Sequence, residues 1–485
     1  MKKLVLAAAL ALGALAMSAS AQTTTPPLII PPETPDTPKV APAPLTAEQQ
    51  RNVEQLRAAA LASDHAYAIV EDLVTRIGPR RAGTPAEARA RDWAVAMLRV
   101  EGFSNPHIEP FDIQSWGATR QEAYVVTPSG PRPLVIAALG GSAPTPPGGL
   151  EAEVVRYPNL DALQAAPNAD VAGKIVFIDE PMARTQDGSG YGVAVAKRSR
   201  CAPMAEAKGA VACLIRSVGT NTTRLAHQGG SARERGGAQL PHAALSPPDA
   251  DALAGLIALG PTRVHLDIAV DAQDRAPSGN VLAEVRGRER PNEIVLVAAH
   301  LDSWDLGQGA IDDGAGDAII VAAAKLINDL PKKPRRTIRI FLAGTEEPGG
   351  LGGIAYWQAH SNETHIVAGE SDFGADRVWR VETRFGAGAA PAARAIQMAL
   401  APLAIIPSST RPDDVGTDVA QAVDAGVPGI GLDQDGTRYF DVHHTADDTL
   451  HMIDREQLRQ NVAAWAVFLY LAADTDWDFR APAAH

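Results

Sequence analysis

The second half of the chain alternates short apolar runs with longer segments in which apolar residues recur at helical spacing. The apolar runs, which predict buried strands, are Glu293–Ala299, Thr337–Leu342, Ile366–Gly369 and Gly429–Leu432. The helical segments are Ala315–Asn328, Gly349–His360, Pro391–Ala401, Asp418–Ala425 and Arg455–Ala473. Because strands and helices alternate, we expect βα units and therefore an α/β fold with a largely parallel sheet.

The part of the chain before these units is predicted to be mainly helical. Thr46 and Gln49 have the spacing of a capping box, so a helix should begin there. Two further helical patterns follow, the later one over Pro85–Val100. Residues 121–138 then have the pattern of paired strands.

A glycine- and proline-rich hinge at residues 140–149 interrupts the main pattern, and residues 140–275 have a pattern of their own. The predicted elements, in order, are a strand at Gly173–Ile178, a helix at Cys201–Lys208, a strand at Ala210–Ile215, a strand and a helix within Pro241–Ile257, and a strand at Val264–Ala269. This order resembles a protease-associated domain, which implies a small β-rich insert with few helices. The insert would divide a larger domain into residues 46–139 and 276–485.

The first 21 residues have the three parts of a secretory signal peptide. Lys2 and Lys3 supply positive charge, Leu4–Met17 is the apolar stretch, and Ala19-Ser20-Ala21 is a small-residue cleavage site. Residues 22–45 are rich in proline and threonine and predict an extended linker. Since the apolar stretch is too short to span a bilayer, we expect an exported protein, periplasmic or secreted, without a membrane anchor.

Composition and net charge limit the kinds of partner that the protein could bind. The chain is 46% hydrophobic and 21% charged, which is ordinary for a globular protein with a large core. Its formal charge of −13, becoming about −15 once Lys2 and Lys3 are lost, argues against nucleic acid or an anionic membrane as a partner. Cys201 and Cys213 would meet an oxidising compartment and could pair there, although their predicted helix and strand leave the separation open. Whether the protein forms a homodimer is also open.

Histidine and carboxylate residues follow the predicted strands. The groups, in chain order, are His300 with Asp312, Glu346 with Glu347, Asp372, and His443 with His444. Ligands bind at the carboxyl ends of strands in open α/β sheets, so these groups should converge. Like charges brought together are costly unless cations neutralise them, which predicts two divalent ions roughly 3.5–4 Å apart. Asp302 lies two residues after His300 and could hold its free ring nitrogen.

These groups, in this order, resemble the co-catalytic zinc exopeptidases. This family includes bacterial zinc aminopeptidases and glutamate carboxypeptidases. The stretch His-Leu-Asp-Ser-Trp-Asp-Leu-Gly-Gln-Gly-Ala-Ile-Asp-Asp at residues 300–313 is most similar to the plasma glutamate carboxypeptidase branch. The resemblance covers the chain from about Thr46 to its C-terminus. It implies a mixed, mostly parallel sheet sandwiched by helices, with the protease-associated domain inserted.

Carried over position by position, the resemblance implies a site with two Zn²⁺ ions per chain. His300 and Asp372 would bind the first zinc, and Glu347 and His444 would bind the second. Asp312 would bridge both. Glu346 would be the general base, and Asp302 would orient His300. His444 is chosen over His443 because a small hydroxyl residue and then an aspartate follow it, as in the family pattern.

The implied activity is hydrolysis of peptide bonds in dipeptides or short peptides by a two-metal-activated water. We expect a carboxypeptidase or dipeptidase, with an aminopeptidase of the same family as the alternative. A catalytically inactive binding protein is a further alternative, against which the complete ligand set and Glu346 argue. The last alternative is a di-zinc hydrolase of another amide, such as a glutaminyl cyclase relative. The insert and Ser303-Trp304-Asp305 favour the peptidase.

The other polar candidates have simpler interpretations. Arg80 and Arg81 lie in a predicted tight loop and are interpreted as solvated, so no arginine clamp for a substrate carboxylate can be named from sequence. His443 and His451 could line the pocket, although packing is the preferred interpretation. Surface or packing positions are also expected for His65, His107, His227, His242, His265, His360, His365 and His485.

Overall fold

A long mixed sheet runs through the molecule. In the computed structural model, which describes residues 40–230, 240–408, 412 and 415–482, fourteen strands form it. The strands are β1 Ser104–Val126, β2 Arg132–Leu134, β3 Ile136–Ala138, β4 Leu150–Tyr157, β5 Ile175–Ile178, β6 Ala212–Arg216, β7 His242–Leu245, β8 Arg263–Val285, β9 Arg290–His300, β10 Arg336–Ala343, β11 Thr364–Glu370, β12 Val378–Arg384, β13 Ile406–Pro407 and β14 Gly429–Gln434. The predicted signal peptide and residues 22–39 of the predicted linker lie outside the described residues.

Helices flank this sheet. They are α1 Ala47–Leu61, α2 His65–Arg76, α3 Pro85–Val100, α4 Leu160–Ala165, α5 Asn168–Val171, α6 Ser189–Ala194, α7 Ala196–Ala207, α8 Pro247–Leu259, α9 Ala315–Asn328, α10 Leu351–His360, α11 Ala390–Leu400, α12 Ala420–Asp424, α13 Tyr439–Val442 and α14 Arg455–Asp474. Within the described part of the chain, none of them has both the length and the apolar character needed to cross a membrane.

The strand order is β13-β12-β14-β11-β9-β10-β8-β4-β5-β6-β7-β3, with β1 paired to β8 and β2 paired to β1. Strands β14, β11, β9 and β10 are neighbours that run parallel, and β12 and β8 border them in antiparallel orientation. Strands β4, β5, β6 and β7 form a second parallel run. The predicted α/β fold with a mixed, mostly parallel sheet and flanking helices is therefore confirmed.

Capping residues determine where several helices begin. The Thr46 hydroxyl accepts a hydrogen bond from the Gln49 amide, and the Gln49 side chain accepts one from the Thr46 amide, so the predicted capping box is present. Thr84 caps α3, which has proline at its first position. Asp454 caps α14 because its side chain accepts hydrogen bonds from two main-chain amides.

Helices α9 and α14 form the centre of the main core. Both are buried along most of their length and pack against each other, and α9 also packs on β9 and β10. The alanine-rich sequence of α9 allows this close approach, because small side chains keep neighbouring backbones near. The segment that enters α9 is consequently anchored to the most buried part of the molecule.

Residues 140–275 contain more helix than expected. Helices α4 to α8 all lie in this interval, so the expectation of few helices is wrong. A second hydrophobic core, most of whose residues lie in this interval, also includes Ala123, Val125 and Leu134 from before residue 140. Strands β1 and β8 pair along both cores and so connect them. Cys201 of α7 and Cys213 of β6 form a disulfide, which settles the pairing that the sequence left open.

Candidate metal centre

The carboxyl ends of three adjacent parallel strands carry the candidate site. Strand β9 ends at His300, β10 is followed by Glu346 and Glu347, and β11 is followed by Asp372. Strand β9 lies between the other two, and His300 is paired with Ala343 at the end of β10. Side chains from separate parts of the sequence therefore meet at one edge of the sheet.

Asp312 occupies the centre of this group. It lies in the segment Ala310–Gly314 before α9, where its φ and ψ angles depart from helical values. One of its carboxylate oxygens is 3.1 Å from His300 Nε2, and the other is 3.1 Å from His444 Nε2. The two oxygens of a single carboxylate thus face two different imidazoles.

Each of the two histidines has a second carboxylate of its own. Asp372 Oδ1 is 3.4 Å from His300 Nε2, and Glu347 Oε2 is 3.1 Å from His444 Nε2. The five predicted ligands are therefore close together, and they divide into two sets that share Asp312.

His444 has an unusual backbone conformation. Its φ of 62° lies in the left-handed region, which is costly for a residue other than glycine and persists only where the surroundings hold it. The amide of Gln228 donates to the His444 carbonyl at 3.0 Å. The Gln228 carbonyl lies 3.3 Å from His444 Nδ1, which leaves Nε2 facing Asp312. Nothing in the sequence pattern predicted this contact with residues 140–275.

The carboxylate of Asp302 holds the loop that carries Glu346 and Glu347. It accepts hydrogen bonds from their main-chain amides at 2.9 Å and 3.4 Å, respectively. The Nδ1 atom of His300 is 3.0 Å from the main-chain oxygen of Asp302 and 3.6 Å from its carboxylate. The main-chain oxygen of Asp302 and, at longer range, its carboxylate thus lie beside the free ring nitrogen of His300, and the carboxylate also positions the neighbouring loop.

Arg80 is fully buried, so its interpretation as a solvated residue is wrong. Its guanidinium donates to the carbonyls of Gln308 and Gly309, each at 2.9 Å. These carbonyls belong to the loop at residues 301–311 that connects the first histidine to the central aspartate. Asp448 holds the same loop, because its carboxylate accepts hydrogen bonds from two main-chain amides of the loop at 2.9 Å and 2.6 Å.

Two residues that were not predicted to be ligands also lie at the centre. One of them, His443, lines the cleft, so the preferred interpretation of it as a packing residue is wrong. His443 stacks on His444 with ring centroids 3.5 Å apart, and its Nε2 is 3.6 Å from Asp312. Asp313 is fully buried and accepts a hydrogen bond from the main-chain amide of His300 at 3.1 Å. Their adjacency to predicted ligands was the only signal available. His451, by contrast, is exposed and does not line the cleft.

Burial and mutual proximity shift the pKa values of the acidic groups. Burial raises the pKa of Glu346 well above its usual range, and burial also raises the pKa values of Glu347 and Asp372. Burial opposes ionisation of Asp312 as well, but hydrogen bonds from His300 and His444 hold its pKa well below the usual range. Burial lowers the pKa of His444, but the nearby carboxylates of Glu347 and Asp312 outweigh it and raise that pKa to about 9. Burial and the proximity of other acidic groups thus oppose the ionisation of Glu346, Glu347 and Asp372.

The donor set fits a metal of the zinc type. Among the described residues, donor atoms of His300, Asp312 and Glu347 lie within 4.8 Å of one another, and so do those of Asp312, His443 and His444. Among the described residues, the buried oxygen Glu347 Oε1 has no hydrogen-bond partner. Imidazole together with carboxylate is a typical zinc ligand set, and a cation would neutralise the packed acids.

The candidate ligands face a cleft of about 460 Å³, a volume typical of small-molecule sites. Tyr191 and Arg198 from the interval 140–275 line this cleft together with Phe373, Tyr439 and Phe440. A sheet whose carboxyl edge gathers histidines and carboxylates beside such a cleft defines a metal-dependent hydrolase.

Comparison with known proteins identifies the family. The model of peptidase family M28 matches residues 280–469. Carboxypeptidase Q from Bos taurus is 33% identical over 419 residues, which cover 86% of each chain. The chain belongs to peptidase family M28 and is a metallo-exopeptidase related to carboxypeptidase Q. The alternative of an inactive binding protein is therefore rejected.

Solved structures agree with this assignment. A peptidase M28 precursor from Shewanella amazonensis is 42% identical, with a TM-score of 0.87 over 90% of this chain and 99% of that one. A zinc aminopeptidase from Bacillus subtilis shares the fold at 21% identity, with a TM-score of 0.62 over 86% of this chain and 97% of the other.

Proposed function

We propose that this metallo-exopeptidase is an exported enzyme that uses two zinc ions to hydrolyse dipeptides or short peptides, and that it recognises their carboxylate end. The position of Asp312 carries the proposal, because its two oxygens lie 3.1 Å from His300 Nε2 and 3.1 Å from His444 Nε2. A carboxylate shared by two histidine–carboxylate pairs is suited to two metal ions rather than one.

The proposed zinc ligands follow these two pairs. His300 and Asp372 would hold one ion, Glu347 and His444 the other, and Asp312 both. Zinc bound there would polarise the peptide carbonyl and lower the pKa of the attacking water. Five protein ligands leave coordination positions for water and substrate, as catalytic rather than structural zinc sites require.

Glu346 is the proposed general base. Both it and the neighbouring Glu347 line the cleft, and Glu347 Oε2 is 3.1 Å from His444 Nε2. The hydrogen bond from its amide to Asp302 fixes its backbone beside the ligands. From there its carboxylate would take a proton from the attacking water and pass it to the leaving amine.

Two observations support recognition of the carboxylate end. The relatives with 33% identity are carboxypeptidases by name, and the stretch from His300 to Asp313 resembles the same branch. The alternative is an aminopeptidase. It is favoured by the zinc aminopeptidase of similar fold and by the acidic residues around the cleft, which could hold a substrate ammonium.

We also propose that residues 140–275 are a protease-associated insert that walls the cleft, between catalytic parts at residues 46–139 and 276–485. The positions of Tyr191 and Arg198 in the cleft wall support this division. Residues 1–21 would be a signal peptide removed on export, and residues 22–45 a linker. The disulfide between Cys201 and Cys213 supports export, because disulfides persist in oxidising compartments.

Metal analysis combined with hydrolysis assays tests the proposal. Purified protein should contain close to two zinc ions per chain, and chelation should abolish hydrolysis of a dipeptide until zinc is restored. An active sample that holds no metal would refute the mechanism. Hydrolysis of a dipeptide amide but not of the N-acetyl dipeptide would establish the aminopeptidase instead.

A further inference from the structure

Arg184 is bound to the short helix α13, which precedes the candidate ligand histidines. It lies in the loop between β5 and α6, within the interval 140–275. Its guanidinium forms a bidentate ion pair with Asp441 of α13, in which Nη1 is 2.9 Å from Oδ2 and Nη2 is 2.6 Å from Oδ1. Nη1 also donates to the Thr437 carbonyl, and Nη2 donates to the Thr220 carbonyl at 2.9 Å. One guanidinium thus connects three separate segments of the chain.

The contacts around Asp441 form a network rather than an isolated surface ion pair. The side chains of Arg184 and Asp441 are 41% and 31% exposed, and a single ion pair with that exposure usually contributes little. Here two parallel hydrogen bonds fix the orientation of the carboxylate, and the Thr220 hydroxyl donates to the same carboxylate at 2.9 Å. The Thr220 amide also donates to the carbonyl of Phe440 at 2.9 Å. Helix α13 is therefore held through both its side chains and its backbone.

The loop that carries Arg184 also binds the chain just before α13. The Gln186 amide group donates to the carboxylate of Asp435 at 2.8 Å, and the main-chain amide of Gly436 donates to the Gln186 carbonyl at 2.9 Å. The ion pair of Arg184 is thus part of a contact that extends over several residues of both segments.

Helix α13 leads directly into His443 and His444, and the backbone of His444 needs support. Its φ of 62° lies in a region that is costly for a residue other than glycine and that persists only where the surroundings hold it. The amide of Thr445 donates to the carbonyl of Val442 at 3.0 Å, which ties the histidines to the end of α13. A contact that fixes Asp441 therefore also limits the movement of His444.

We propose that Arg184 is a positioning residue that acts through Asp441 to hold His444 where the second zinc ion of the proposed centre binds. This inference rests on the proposed function and gives the interval 140–275 a part in metal retention. Arg184 itself does not belong to the described residues that line the cleft. Its loss should therefore weaken the binding of the zinc ion held by His444 and leave the other ion in place.

Zinc retention by Arg184→Met tests the assignment. Protein loaded with both ions is titrated with a chelator, and the Kd of each ion is determined for the variant and for wild type. Arg184→Met should raise the Kd of one ion by about 10-fold, within the range found when outer partners of metal ligands are removed, and leave the other unchanged. Turnover of a dipeptide should fall at low free zinc and return close to the wild-type kcat in excess zinc.

Arg263→Met is the matched control. It removes an ion pair with Glu151 inside the same interval, with side chains 53% and 40% exposed, and it should retain zinc as wild type does. A double-mutant cycle with Asp441→Asn shows whether Arg184 acts through Asp441, because the double variant should then lose little more zinc affinity than Asp441→Asn alone.

Thr220→Val covers the case in which Arg184→Met does not fold. It removes the hydroxyl that donates to Asp441 and should raise the same Kd by a smaller factor. Unchanged zinc affinity in both variants overturns the assignment of Arg184 and leaves the proposed function standing. An equal loss in Arg263→Met, or additive losses in the cycle, also overturns it, because the effect then does not pass through Asp441. Wild-type protein that binds no zinc refutes the proposed function itself and this inference with it.

Discussion

Glu346 and Glu347 are neighbours in the chain but face different surroundings. Glu347 Oε2 is 3.1 Å from His444 Nε2, which makes it a partner of a candidate ligand. Glu346 lines the cleft together with Glu347, but it belongs to none of the groups of described residues that could hold a metal ion. Asp302 fixes the backbone of both through their amides. One carboxylate can therefore bind the metal while its neighbour remains available to accept a proton.

Substitution by glutamine should separate these two roles. Glu346→Gln keeps the shape of the side chain but cannot accept a proton, so metal content should be retained while kcat falls by at least about 10²-fold, the usual size of a general-base contribution. Glu347→Gln should instead lower the metal content, because it removes a charged oxygen that faces His444. Elemental analysis and steady-state kinetics on one dipeptide measure both effects.

Glu54→Gln, on the exposed side of α1, is the control and should alter neither quantity. If Glu346→Gln lost metal while Glu347→Gln lost only turnover, the two assignments would have to be exchanged.

Among single residues, the sequence predicted best those histidines and carboxylates that follow the end of an apolar run. His300, Asp312 and Asp372 could be predicted because each lies just beyond or shortly after an apolar run whose end is easily recognised. Arg80 could not, since an arginine in a loop is usually solvated. Its role depends on which of its atoms are paired after folding, and no periodic pattern contains that information.

Among the helices and strands, β1 and β8 are the main elements that the sequence pattern did not predict at their full length. Each has 23 residues, and the two pair along almost their whole length. Three register irregularities interrupt the pairing, between Ser104 and His107, Ile113 and Ser115, and Ala118 and Arg120. A bulge shifts the two-residue alternation by one position, so a long strand reads as short unrelated pieces. The βα units, which have no such irregularity at the site, were predicted closely.

A pair of titratable residues connects β1 to α10. Glu109 and His360 lie 3.0 Å apart, with Glu363 also 3.0 Å from His360. The hydrogen bond with Glu109 outweighs burial and raises the pKa of His360 above its ordinary value of 6.5. Burial would raise the pKa of Glu109, but hydrogen bonds from His360 and His107 outweigh it and lower that pKa below 4.5.

The signs of these shifts predict a pH-dependent contribution to stability. Because the pKa of His360 is raised on folding, its contribution is complete below pH 6.5 and disappears as the pH rises through the folded pKa. The lowered pKa of Glu109 contributes above pH 4.5 and is lost as the pH falls. His360→Gln should therefore destabilise the protein near pH 6 by up to about 1 kcal/mol, as for other partly exposed pairs, and much less near pH 9.

Thermal unfolding of the variant and of wild type at the two pH values measures this difference. His451→Gln, which alters an exposed histidine far from this pair in sequence, should show no such pH dependence. An equal loss of stability at both pH values would mean that His360 acts through packing rather than through its charge.

At the scale of the whole molecule, the interval 140–275 is part of the scaffold of the metal centre. The amides of Thr220 and Gln228 donate to the carbonyls of Phe440 and His444 at 2.9 Å and 3.0 Å. His227 Nδ1 lies 2.7 Å from the carbonyl of His443, so this buried histidine packs against the candidate site and not merely within the interval 140–275. The sequence identified the interval as a separate pattern. It could not reveal these contacts, because they join residues 216 or more positions apart in the chain.

Because the ligands come from distant positions, they converge only in the folded chain, and zinc should stabilise the native state. For a site that binds only folded protein, free zinc at 100 times its Kd adds about 2.7 kcal/mol. Chelator-treated protein should therefore unfold at a lower Tm than wild type as purified, and the Tm should rise with zinc concentration.

Asp312→Asn should abolish most of this rise, since Asp312 faces both histidines. Calcium, which prefers all-oxygen sites, should be a poor substitute. A rise of equal size in Asp312→Asn would show that the stabilising zinc binds elsewhere.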